Sequence, residues 1–182
     1  GKLDCVSCHT NITDAKANHA HSTTVGEVQP SCATCHEQLW SKVQAEGKAK
    51  DKPRLGVVAA NIEAYKKSFH ARPDKDNPSQ PKASCESCPD THSFAIPAAD
   101  SPEHKQFRLG ISESGGASCH EDQLEAWTES VHGQKVTQDG DSKAAVCVDC
   151  HTAHAVQNTS AVTFKTVVTK DCGTCHEENF AS

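Results

Sequence analysis

The 182-residue chain predicts a mainly irregular fold with short α-helices and little or no sheet. Three observations predict it. First, only 35% of the residues are hydrophobic and 4% aromatic, with a mean hydropathy of −0.62. An ordinary globular domain is nearer half apolar, so side chains alone bury too little surface here to offset conformational entropy. Second, eleven cysteines are spread along the chain, mostly as Cys-x-x-Cys pairs. Third, apolar residues fall at helical spacing only in short runs, separated by polar stretches rich in Pro and Asp. Something other than side chains must supply the core.

The cysteine pattern says what that is. Four copies of Cys-x-x-Cys-His occur: Cys5-Val-Ser-Cys8-His9, Cys32-Ala-Thr-Cys35-His36, Cys147-Val-Asp-Cys150-His151 and Cys172-Gly-Thr-Cys175-His176. This pentapeptide is the attachment site of a c-type haem. Its two thiols add to the haem vinyl groups, and the adjacent His becomes the first axial ligand of the iron. Zinc needs four ligands per site and gives no reason for a His after every second Cys. A thioredoxin-like disulfide calls for one such pair beside a βαβ pattern, not four in a polar chain. Four haems c are therefore expected at the complete motifs. Porphyrins are large apolar planes that the polypeptide wraps, as staples and metals serve other under-cored folds. The expected architecture is a haem-cored multihaem cytochrome c fold.

Charge narrows the partners. The formal net charge is −6, from 18 Lys and Arg against 24 Asp and Glu. An acidic shell argues against nucleic acid, and there is no basic cluster for an anionic lipid surface. No apolar run is long enough to span a membrane. The start at Gly1, with no signal peptide, reads as a mature or trimmed one.

An internal repeat organises the rest. Tyr65-Lys-Lys-Ser68-Phe69-His70 matches Trp127-Thr-Glu-Ser130-Val131-His132 at an offset of 62. Cys85 and Cys88 match Cys147 and Cys150, and His92 matches His154, at the same offset. After six extra residues in the earlier copy, Ala117-Ser118-Cys119-His120 matches Gly173-Thr174-Cys175-His176. Such self-similarity indicates a duplicated two-haem unit, with a shorter unit from Cys5 to His36 before it. The earlier copy departs from the motif twice: Pro89 stands where the His should follow Cys88, and Gly116 where a first Cys should precede Cys119.

Histidine arithmetic bears on these broken sites. Five His follow a motif Cys: His9, His36, His120, His151 and His176. Seven do not: His19, His21, His70, His92, His104, His132 and His154. Twelve His would ligate six irons with two each, and there is no Met, which excludes His/Met ligation. Bis-His haems at lower potential than His/Met ones are expected. Six haems is the favoured count, with His92 or His104 replacing the missing ligand at Cys85/Cys88. The alternatives are five haems, with Cys85 and Cys88 left as a disulfide or thiols, and four.

Local patterns place several of the second ligands. Residues 57–70 carry Val58, Ile62, Tyr65 and Phe69 on one helical face, ending in His70, and residues 120–132 carry Leu124, Trp127 and Val131, ending in His132. Each helix is expected to deliver its His from the last turn; a His capping a helix dipole is the plainer alternative. Ser101-Pro102 is expected to open a short helix bearing His104 and Phe107, which Gly110 closes. Thr13 is expected to cap a short helix bearing His19 and His21. Trp40 and Trp127 are expected to pack on porphyrin edges. Residues 71–84 read as a loop, and 162–168, with alternating Val162, Phe164, Thr166 and Val168, as a short extended segment.

With these residues in view, the chain resembles the multihaem c-type cytochromes built from paired CxxCH motifs, over nearly its whole length from Cys5 to His176. These include periplasmic shuttles, outer-membrane conduits and extracellular cytochromes that polymerise into filaments. The resemblance implies export to the periplasm or exterior of a prokaryotic cell. It implies a single haem-wrapped domain over 1–182, with two-haem units at about 1–45, 57–122 and 123–182. The expected function is electron transfer without substrate chemistry, with other redox proteins or further copies of the chain as partners. A haem near each end of the chain suits head-to-tail assembly. The rival is a multihaem oxidoreductase acting on nitrite, hydroxylamine or a sulfur oxyanion. It needs an iron with an open position, for which Cys85/Cys88 is the one place, and the chain lacks both a CxxCK motif and a cluster of Arg, Lys and Tyr for an anion.

Overall fold

In the computed structural model, residues 31–87, 96–98, 101–141 and 143–176 are described. Expectations for Cys5, Cys8, His9, Thr13, His19, His21, Cys88, Pro89 and His92 lie outside them. The chain divides into two compact units, Gly1–Glu63 and Ala64–Ser182. Among the described residues the secondary structure is short helices and turns, and the β content is one isolated bridge, Pro73 to Pro81. This is the predicted fold class.

The first unit holds α1 (Cys32–Ala45) and most of α2 (Pro53–Lys66). Ser31 caps α1 by accepting from the Thr34 N–H, so a CxxCH motif forms the first turn of a helix. The far end closes on Gly47, at φ +70°, with Gly47 N–H donating to Gln44 O and Lys48 N–H to Val43 O. That pair of bonds around a left-handed glycine is the Schellman stop. Pro53 opens α2, where its missing N–H costs nothing. A β-carbon on Gly56 would lie 3.0 Å from the Trp40 indole, so a bare backbone lets the two helices approach. Trp40 thus packs on Gly56.

The second unit holds both repeat copies. Its further helices are α3 (Pro102–Cys119), α4 (Glu121–Glu129), α5 (Val131–Thr137), α6 (Cys147–His151) and α7 (Val162–Cys172). Residues 71–84 form the expected loop. Its arms are tied by Asp74 N–H to Gln80 O and Lys82 N–H to Arg72 O, and the cations of Arg72 and Lys82 lie over the Phe69 ring.

Four expectations about elements are corrected. The helix expected to run to His70 stops at Lys66, because the Phe69 N–H leaves the helical ladder and donates to Val156 O at 2.7 Å. His70 stands in the turn beyond. The helix expected over 120–132 is two, broken at Ser130, whose hydroxyl donates to Trp127 O and accepts from Gly133 N–H. His132 therefore starts a helix rather than ending one. Gly110 does not close α3, which runs on to Cys119; Gly110 is not among the glycines with positive φ. Residues 162–168 are helical, not extended. An isolated strand has no ladder to join, so its backbone groups bond within the segment, and Thr166 and Thr169 hydroxyls also bond back along α7.

Apolar burial is slight. Among the described residues the buried hydrophobic side chains are Ala59, Ile62 and Val146, and none is sealed completely from solvent. Large apolar side chains stand exposed instead, Val131 at 75% and Val162 at 80%.

Candidate haem-binding site

Each described CxxC segment is a tight turn held by its third residue. Thr34 N–H donates to the Ser31 hydroxyl at 3.2 Å, and the two hydroxyls meet at 2.9 Å. Ser84 N–H donates to Ser87 Oγ at 3.0 Å. Val146 N–H donates to Asp149 Oδ2 at 2.8 Å. The Thr174 hydroxyl donates to Asp171 O at 2.7 Å. In all four, the residue between the cysteines ties back to the one preceding the first Cys, so the turn closes through protein groups alone. Sequence reasoning missed these residues, though a signal was present. Ser7, Thr34, Ser87, Ser118, Asp149 and Thr174 occupy that position in every copy, broken ones included, and short polar side chains of this kind favour local bonds to backbone.

A second pair of bonds positions the turns in the repeat. The Tyr65 hydroxyl donates to Ala83 O at 2.7 Å, and the Trp127 indole N–H donates to Ala145 O at 3.2 Å. Both acceptors lie two residues before a first Cys. The same strut thus recurs at equivalent positions of the two copies. Trp127 was expected against a porphyrin edge; its polar atom serves as a strut.

The histidines come together across the sequence. His70 faces His120 with ring centroids 6.1 Å apart and planes 26° from parallel. His132 faces His176 at 6.0 Å and 31°. In each copy, then, the His that follows the first helix meets the His of the second motif. Neither pair is in face-to-face contact. Two imidazoles on opposite sides of one metal, each nitrogen about 2 Å from it, stand with centroids about 6 Å apart. The gap in both pairs is of that size.

The remaining histidines are placed differently. The ring of His151 stacks on Phe164 of α7, centroids 5.1 Å apart and planes 8° from parallel. His104 lies on the first turn of α3, capped by Ser101, and its ring neighbours Phe107 at 6.3 Å. His154 is exposed. His36 lies on α1 with its Nδ1 buried and lacking a hydrogen-bond partner among the described residues. His104, His154 and His36 belong to neither facing pair, and His151 has His120 near enough to influence its charge.

Electrostatics favours neutral imidazole. Burial holds the His70 proton affinity below its ordinary value, and the neighbouring His120 lowers it further. Burial, then His120, does the same to His151. A metal ligand must be the unprotonated imidazole, so these shifts favour ligation. Burial pushes the Cys150 thiol up, helped by Cys172, Asp149, Asp171 and Cys147, which brings the last two motifs close in space. Cys147, Cys150, Cys172 and Cys175 form no disulfide with one another. Arg108 of α3 forms an ion pair with Asp149, so the third-position residue of one motif is also tied to the helix that ends in Cys119.

These residues fit a haem. No cluster of three or more His, Cys, Asp or Glu among the described residues is arranged to hold a bare ion. Two facing imidazoles suffice when a porphyrin supplies the other four nitrogens.

Residues 137–181 match the family model of the doubled CXXCH motif. No curated protein and no solved structure matches the chain. The matched segment contains the Cys147–His151 and Cys172–His176 motifs, with His154. Together with the motifs themselves, the match indicates covalent haem binding of the kind found in c-type cytochromes, which points to electron transfer. No described helix is long and apolar enough to cross a membrane.

Proposed function

We propose that the chain is an electron carrier with covalently bound haems c, whose irons are each held between two imidazoles. The observation that supports this best is the pair His132 and His176, 6.0 Å apart, in which His176 belongs to the segment matched as a doubled CXXCH motif. Bound haem supplies a one-electron Fe(III)/Fe(II) couple. The chain's own residues hold, orient and space it. Cys147, Cys150, Cys172 and Cys175 anchor by thioether; His151 and His176 are the adjacent ligands. Cys32, Cys35 and His36 serve likewise in the first unit, as do Cys5, Cys8 and His9. With no Met in the chain, bis-His ligation keeps the potentials low.

Six haems is the count we favour. At Cys85 the Ser84–Ser87 bond repeats the Val146–Asp149 bond, and Tyr65 repeats Trp127. The broken site thus retains the built turn of an intact one. His104 or His92 completes it, and His19, His21 and His154 supply second ligands elsewhere. The carrier works outside the cytoplasm and exchanges electrons with other redox proteins or with further copies of itself.

The test is the intact mass of the denatured holoprotein, with electron paramagnetic resonance on the native one. Six covalent haems with wholly low-spin ferric signals are expected. A high-spin ferric signal that shifts on adding cyanide would replace the pure carrier with the reductase reading.

A further inference from the structure

We propose that His70, His120 and Cys119 form a haem site held by one thioether bond and two imidazoles, outside the segment that matches the doubled motif. The inference rests on the haem reading above and adds to it a site whose motif has lost a cysteine.

The geometry carries it. His70 and His120 stand 6.1 Å apart, and His132 and His176, beside an intact motif, stand 6.0 Å apart. The tilts are 26° and 31°. His70 and His132 occupy one repeat position, His120 and His176 another. The scaffold recurs too. Ser68 N–H donates to Tyr65 O and Ser130 N–H to Trp127 O, turning the chain just before each first His. Tyr65 and Trp127 then tie each copy to Ala83 and Ala145. On the other side, α3 runs to Cys119 and hands over to His120, whose carbonyl accepts the Leu124 N–H of the next helix. With Gly116 in place of a first Cys, this copy has one tether fewer, yet its imidazoles keep the same separation.

Cys119 is exposed and directly precedes His120, as Cys175 directly precedes His176 in the intact motif. The attachment balances. The Cys119 S–H bond and the π bond of one haem vinyl group break. A C–S bond forms at the vinyl carbon next to the ring, and the hydrogen goes to the terminal carbon. No electron is gained or lost. The other vinyl group has no thiol at Gly116 to meet and stays intact.

That intact vinyl group gives the proposal its own signature. The holoprotein is digested, and the haem-bearing peptides are separated and weighed. The peptide containing Cys119-His120 is expected to carry the mass of one haem. Its reduced pyridine complex should absorb at longer wavelength than those of the Cys147–His151 and Cys172–His176 peptides, because the remaining vinyl extends the conjugation. Cys119→Ala should lower the covalent haem count of the intact protein by one, and His70→Ala should leave the count unchanged while converting one haem from low-spin to high-spin. A Cys119 peptide without haem, beside loaded Cys147 and Cys172 peptides, overturns this proposal and leaves the carrier reading standing. Haem on none of the three overturns both. The peptide masses need no variant, so they decide the matter even where a substitution prevents folding.

Discussion

Gly133 lies so close to Trp127 that a β-carbon on it would stand 2.0 Å from the Trp127 carbonyl oxygen. The neighbouring Thr128 Cα would be at 2.7 Å. Both obstacles are backbone, so neither can swing aside. Gly133 is what lets α5 start immediately after α4, and α5 carries His132 in its first turn.

Gly133→Ala is therefore expected to push α5 off the end of α4 and take the His132 ring out of line with His176. Overpacking of this kind costs about 1–3 kcal/mol. Thermal unfolding should show that loss, and the resonance spectrum should show one low-spin haem converted to high-spin. A variant with the native spectrum would mean that His132 does not depend on this junction.

His132→Ala removes the imidazole and leaves the helix. One haem is expected to become high-spin and to bind cyanide, with the covalent haem count unchanged. The absorption change on adding cyanide measures it. No change would assign the second ligand of that iron to another residue.

The Arg108–Asp149 ion pair is partly exposed, at 26% and 39% of the side-chain surface. Solvent screening keeps such a pair below about 1 kcal/mol. Asp149→Asn should lose the charge pair but keep an acceptor for the Val146 N–H, whereas Asp149→Ala should lose both and be the less stable by about a further 1 kcal/mol. Denaturant titration of both variants, at low and high salt, separates the two contributions. Equal stability of Asn and Ala would remove the third-position tie from the account.

Trp127→Phe and Tyr65→Phe each delete one strut to a backbone carbonyl while keeping an aromatic ring. Each should cost about 1 kcal/mol. The residues belong to separate copies, so the double variant should show the sum. A coupling larger than the error of the cycle would show that the copies support each other.

Haem removal should have the largest effect. With Ala59, Ile62 and Val146 as the buried apolar side chains described, the polypeptide has little core of its own. Protein made without haem attachment is expected to lose most of its helical circular dichroism and to melt without a cooperative step, since binding energy and folding energy are here the same. A sharp transition in the haem-free chain would contradict this.

Much of the site was legible in the sequence because its chemistry is local. Two thiols three positions apart with a His beside them need no distant partner to be recognised. The offset of 62 between His70 and His132, and between Cys85 and Cys147, likewise exposed the duplication. The low apolar content foretold a helical, strand-poor chain without a core of its own. What tertiary structure decided was everything that depends on contacts between residues far apart. That Val156 ends α2 before His70, that Ser130 splits one amphipathic run in two, and that α7 is helical all follow from where backbone groups found partners. So does the pairing of His70 with His120 and of His132 with His176. Spacing in sequence sets which residue follows a helix, but the ring it faces is chosen only when the chain has folded back.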